Sequence, residues 1–128
     1  MGRPAQHATR DPIRDLDDTT FFEAVDGHVT MVDFWAPWCA PCRILHPRFT
    51  RHAVARADGP LRFARVNVQD SPAVAATFGI MSIPTILVIG ADCAEIAREV
   101  GVPGRWRLAR LVRHAGVLAG ANVRGGTT

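Results

Sequence analysis

The stretch Val32-Asp33-Phe34-Trp35-Ala36-Pro37-Trp38-Cys39-Ala40-Pro41-Cys42-Arg43 decides the reading of this 128-residue chain. Its first half closes the run from Val29 to Trp35, a short apolar segment that reads as a buried strand. Its second half opens a helix near Cys39, with Leu45, Phe49 and Ala53 at four-residue spacing until Asp58-Gly59-Pro60 stops it. Pro47 lies inside that pattern and is expected to kink the helix, because its ring removes one backbone donor. Two cysteines spaced by two residues therefore stand at a strand-to-helix turn, where they can close a small disulfide ring. The first meets the unpaired N–H groups and dipole of the helix N-terminus, which favour its thiolate. Its pKa should fall below the ~8.5 of a free thiol, so Cys39 is the expected nucleophile. Cys42, one turn in and more buried, is held in reserve, and Pro41 stiffens the ring.

Working outward, Asp17 or Asp18 can cap a short helix containing Phe21, Phe22 and Val25. Leu61 to Val68 is a second strand, and Ser71-Pro72 opens a short helix through Phe78. Thr85 to Ile89 is a third strand, continuous and apolar. Gly90-Ala91-Asp92 turns the chain, and Glu95 to Val100 returns as an antiparallel edge strand. Pro103-Gly104 precedes a last helix with Leu108, Leu111, Val112 and Ala115 on one face. This order predicts an α/β domain over residues 13–115, a central mixed sheet with helices on both faces. Residues 1–12 read as a flexible N-terminal extension and 116–128 as a flexible C-terminal tail.

Composition narrows the function classes. A hydrophobic content of 48% is that of a globular chain, and 21% charged residues is too low for a disordered tail protein. No apolar run approaches the ~20 residues needed to span a bilayer, and the start lacks a secretory signal. The expectation is a soluble, cytoplasmic monomer with no membrane association. All 15 basic residues are arginine, a bias pointing to genome composition, since one binding site would not purge lysine from a whole surface. Acids concentrate in residues 1–33, and arginines in residues 43–66 and 95–128. No zinc-finger spacing, RNA-binding aromatic motif or sustained basic run accompanies them, so nucleic acid is not expected as a partner. The 3 cysteines are too few for a disulfide-stapled scaffold. The spacing of Cys39 and Cys42 leaves redox chemistry or half a metal site.

The quoted stretch resembles the thioredoxin family, whose motif is Trp-Cys-Gly-Pro-Cys after an Asp-Phe-Trp strand. Gly79-Ile80-Met81-Ser82-Ile83-Pro84-Thr85 is similar to the family's cis-proline loop, and Val100-Gly101 to the Val-Gly that closes its substrate groove. The resemblance implies a thioredoxin fold and a protein-disulfide reductase acting by thiol–disulfide exchange through Cys39 and Cys42. It assigns removal of the Cys42 proton to Asp33, and substrate contact to Trp38, Ile83, Pro84 and Gly101. It implies no bound cofactor beyond the redox-active disulfide, disulfide-containing protein substrates, and a flavoprotein reductase using NADPH. A specialised oxidant or isomerase, or a thioredoxin-fold scaffold module, is the alternative.

Other readings of the same residues are weaker. Structural zinc wants four ligands, and Cys93 is the only other thiol. At ~3.3 Å per strand residue, Cys93 falls roughly 15–20 Å from Pro84, a bystander. His46 reads as a satisfied or exposed helix histidine rather than a catalytic one. Ala40 stands where the family has Gly, which should alter redox poise together with Pro41. Arg65 stands where the family often has a lysine near the buried acid, and arginine stays charged. Asp33, flanked by Val32 and Phe34, is expected to be desolvated, with its pKa raised unless Arg65 pairs with it.

Overall fold

The computed structural model describes residues 11–125, and its layers follow from the alternation of side chains along the strands. The elements are β1 (Ile13–Leu16), α1 (Phe21–Val25), β2 (Thr30–Trp35), α2 (Ala40–Ala55), β3 (Arg62–Asn67), α3 (Pro72–Thr77), β4 (Thr85–Ile89), β5 (Glu95–Val100) and α4 (Arg105–Gly125). They form a five-stranded mixed sheet in the order β1-β3-β2-β4-β5. β1, β3 and β2 are mutually parallel neighbours, while β4 is antiparallel to both β2 and β5.

Successive strand residues point to opposite faces, so each central strand feeds two cores. Met31, Phe63, Ile86 and Val88 join Leu45, Phe49 and Ala53 of α2 and Leu108, Val112 and Ala115 of α4 on one face. Val32, Phe34, Ala64, Val66, Leu87 and Ile89 join Phe21 and Val25 of α1 and Val74 of α3 on the other. Asp33 alternates with Met31 and therefore belongs to the α2 face. Its sequence neighbours Val32 and Phe34 point away from it. The expected burial is found, but the desolvating surroundings are the α2 layer rather than those flanking residues.

Helix α2 buries Cys42, Leu45, Phe49 and Ala53 in one stripe and runs unbroken through Pro47 to Ala55. Pro47 is solvent-exposed, so its ring is accommodated away from the sheet. Three further differences from the sequence reading have physical causes. Strand β1 was not expected, because its four residues carry the charged pair Arg14 and Asp15 between Ile13 and Leu16. It forms by pairing with β3, Ile13 entering one core and Leu16 the other.

The last helix does not end at Ala115. It continues to Gly125 in place of the expected tail, because Ala119 keeps the apolar spacing and is buried in the same core. Gly116, inside that extension, lets α4 approach the Arg56 guanidinium, which a Cβ would overlap. The caps are also redistributed. Asp17 accepts hydrogen bonds from the Thr19 and Thr20 amides, whereas Asp18 reaches across the chain to the Ala73 and Val74 amides of α3. The expected N-terminal extension, apart from Asp11 and Pro12, lies outside the described residues, as do residues 126–128.

Candidate active site

Cys39 and Cys42 are joined as a disulfide at the start of α2. Cys39 is the N-cap residue, and Pro41 lies in the first turn, where a missing N–H costs nothing. The Cys39 Sγ accepts a hydrogen bond from the Cys42 amide at 3.2 Å, satisfying one of the helix's unpaired donors with sulfur. Cys39 retains 3% exposure and Cys42 none, which is the order expected of an attacking and a reserved thiol. Ala36 packs with the pair, and Trp35, Val68 and Ile83 cover it.

The Ile83–Pro84 peptide bond is cis. Ile83 brings this loop against the disulfide, and the Pro84 carbonyl accepts the Gly101 amide at 2.8 Å. Gly101 has φ +87°, a backbone region that disfavours any residue with a Cβ, and this conformation closes β5 back onto the proline loop. Thr85 hydroxyl donates to the Ser82 carbonyl at 2.7 Å and fixes the near side of the loop. Trp38 and Met81 are 65% and 93% exposed. The expected groove residues Trp38, Ile83, Pro84 and Gly101 thus come from the active-site turn, the cis-proline loop and the end of β5.

Asp33 lies beneath this surface and is fully buried. Parallel pairing sets it in register with Arg65 of β3, so both side chains leave the same sheet face. The Arg65 Nε is 3.7 Å from the Asp33 Oδ2, an ion pair too long for a hydrogen bond. Its Nη2 is committed to α2, donating to the Thr50 hydroxyl at 2.8 Å and the His46 carbonyl at 3.3 Å. Neither Asp33 oxygen has a hydrogen-bond partner. Burial pushes the Asp33 carboxyl up to about 7, against the smaller downward pull of the Arg65 charge. The sequence left that contest open, and desolvation wins.

A second neighbour of Asp33 was not assigned to the site. His46 Nε2 stands 3.6 Å from the same Asp33 Oδ2, and the imidazole packs edge-on to Trp35 with ring centroids 5.1 Å apart. Burial, and then the Arg65 charge, push the His46 pKa down. The signal lay in the spacing: His46 follows Cys42 by one helical turn and shares its side of α2.

Cys93 sits in the β4–β5 turn with φ +68° and packs against the core on the opposite face from Asp33. It is half-buried and unpaired, and burial followed by Asp26 and Asp92 pushes its thiol pKa up. Among the described residues, no group of three or more His, Cys, Asp or Glu is placed to hold a metal ion.

A two-cysteine disulfide capping a helix, packed against a cis-proline loop on a five-stranded mixed sheet, defines a dithiol–disulfide oxidoreductase. The model of the family described as Thioredoxin matches residues 12–113, and the chain belongs to that family. A thioredoxin of Alicyclobacillus acidocaldarius is 43% identical over 74 residues, 57% of this chain and 70% of the relative. One from Staphylococcus saprophyticus is 34% identical over 95 residues, 74% of this chain and 89% of the relative. Among solved structures, the oxidised form of mitochondrial thioredoxin 3 from Saccharomyces cerevisiae superposes with a TM-score of 0.69 at 26% identity, covering 80% of this chain and 94% of that one. The protein is a thioredoxin-type oxidoreductase that works by thiol–disulfide exchange.

Proposed function

We propose that Cys39 is the nucleophile, Cys42 the resolving thiol and Asp33 the proton acceptor for Cys42, in a cycle that reduces protein disulfides. The observation that carries this assignment is the asymmetry of the pair. Cys39 caps the helix and keeps 3% of its surface accessible, while Cys42 is fully enclosed on the same side of the sheet as the Asp33 carboxyl, whose oxygens accept no hydrogen bond.

The Cys39 thiolate attacks one sulfur of a substrate disulfide, forming a mixed disulfide and releasing the other substrate sulfur as a thiolate that takes a proton from water. Cys42 gives its proton to Asp33, and its thiolate attacks the Cys39 sulfur. The Cys39–Cys42 bond forms, the Cys39–substrate bond breaks, and its electron pair leaves on the substrate sulfur. The substrate has gained two electrons and this protein is oxidised.

Trp38, Ile83, Pro84 and Gly101 form the groove that receives the substrate backbone, and Ala40 with Pro41 tunes the potential of the pair. Catalysis runs on the disulfide alone. Electrons return from a thioredoxin reductase, a flavoprotein using NADPH, and the setting is cytoplasmic redox homeostasis with the chain acting as a monomeric electron carrier.

Exchanging each cysteine separately tests the roles. Cys39→Ser should abolish insulin reduction coupled to dithiothreitol, whereas Cys42→Ser should trap substrate as a mixed disulfide that a thiol releases. Normal turnover by Cys42→Ser, or trapping by Cys39→Ser, would show the assignment to be reversed or absent.

A further inference from the structure

Asp33 can take the Cys42 proton only when its own has left for solvent, and the carboxyl is enclosed. The charged and titratable groups facing it are Arg65 from β3 and His46 from α2, and its partner in β4 is Ile86. Arg65 cannot take the proton, because a guanidinium has no acceptor site and stays charged. Its Nη2 is moreover tied to Thr50 and to the His46 carbonyl. A cleft of about 260 Å³ reaches Trp35 and Arg65, but Asp33 does not line it.

His46 is different. Its Nε2 is buried, has no hydrogen-bond partner, and faces an Asp33 oxygen that also has none, while 26% of the side chain remains accessible. Approach by about 0.5–0.8 Å turns the 3.6 Å gap into a hydrogen bond. An imidazole accepts a proton on one nitrogen and releases one from the other.

We infer that His46 is the proton relay of this active site, carrying the Asp33 proton out to solvent so that the carboxylate is free to take the proton of Cys42. The inference rests on Asp33 being the acceptor for Cys42. His46 touches neither substrate nor sulfur, so it is a positioning residue that acts through Asp33. Before resolution, protonated Asp33 passes its proton to His46 Nε2, and the imidazolium loses a proton to water or buffer. Asp33 is then ionised and can accept the Cys42 proton.

Single-turnover oxidation of the fully reduced protein by oxidised glutathione separates the steps, since the first glutathione leaves on attack and the second on resolution. His46→Ala should leave the first phase unchanged and slow the second about tenfold near pH 7. That is less than the roughly 10²–10⁴-fold expected for losing the acceptor itself. Added imidazole should restore the second phase, whereas pyrazole, of the same shape but scarcely basic, should not. His46→Gln, which keeps a polar group of similar reach, should show the same deficit. The wild type should respond to neither additive.

A normal second phase in His46→Ala and His46→Gln, or equal rescue by pyrazole, overturns the relay. Asp33→Asn separates this from failure of the underlying reading. A slow second phase in that variant, unrescued by imidazole, is the expected result. A wild-type second phase in Asp33→Asn would instead remove Asp33 as acceptor, and the relay with it.

Discussion

Replacing Asp33 by Asn should make the oxidised protein more stable at neutral and alkaline pH, and the size of the gain follows from the burial of the carboxyl. The native group titrates near 7 against an ordinary value of 3.8. Below 3.8 it is protonated in both folded and unfolded chains and costs nothing. Between 3.8 and about 7 the folded chain holds a proton that the unfolded chain has released, so stability falls as pH rises. Above about 7 the full penalty is present, and at about 1.4 kcal/mol per pH unit it amounts to about 4 kcal/mol. That figure is a ceiling, because a buried site relaxes and admits water on ionisation.

Asn keeps the shape and carries no charge, and the oxygens it replaces have no hydrogen bonds to lose. Urea denaturation followed by tryptophan fluorescence at several pH values between 4 and 9 is the assay. With a slope of about 2 kcal/mol per molar, the midpoint of the variant should lie up to about 2 M above wild type at pH 8 and converge with it near pH 4. Taking the difference between the proteins cancels a titrating group remote from Asp33, such as Cys93 on the opposite face of the sheet. A variant less stable than wild type at pH 8 would mean that the Arg65 ion pair outweighs desolvation. A pH-independent gain would mean that Asp33 is not the group that titrates.

Two further outcomes test the surroundings. Cys93→Ala should leave disulfide turnover and the reduction potential unchanged, because Cys93 packs on the opposite face of the sheet from Asp33 and outside the cluster around Cys39; a marked loss in the insulin assay would contradict that placement. Asp18→Ala should cost about 1 kcal/mol in urea denaturation at pH 7 while sparing turnover, since it removes the acceptor of the Ala73 and Val74 amides. Unchanged stability would show those amides to be satisfied without the carboxylate.

The fold was legible wherever a segment carried its own pattern. The apolar runs of β2 and β4, the four-residue stripe of α2 and the Pro72 start of α3 each announce themselves locally. β1 was illegible because Ile13 and Leu16 face different cores, so no single periodicity marks four residues whose stability comes from pairing with β3. The cysteine pair and the proline loop were readable as motifs. What a sequence cannot display is which distant side chains share a sheet face. Arg65 meets Asp33 through the β2–β3 register, and His46 meets it through the packing of α2 on that face. The capping acids fail for the same reason: Asp18 serves a helix more than fifty residues away.

The position of Arg65 explains how a base of useful strength survives beside a permanent cation. A guanidinium donating directly to the carboxylate would hold Asp33 ionised and lower its pKa, leaving it a poor acceptor for a thiol proton. With no cation nearby, desolvation would push the group higher still, and it would stay protonated at neutral pH. Thr50 and the His46 carbonyl anchor the Arg65 Nη2 to α2 and leave its Nε at 3.7 Å from the carboxylate, so that the downward pull of Arg65 stays weaker than desolvation. The outcome lies near 7, where an acid–base group is best matched to the operating pH. The desolvation of Asp33 is therefore the condition of its function, and the stability that Asn would restore is the cost of keeping a titratable group in the core.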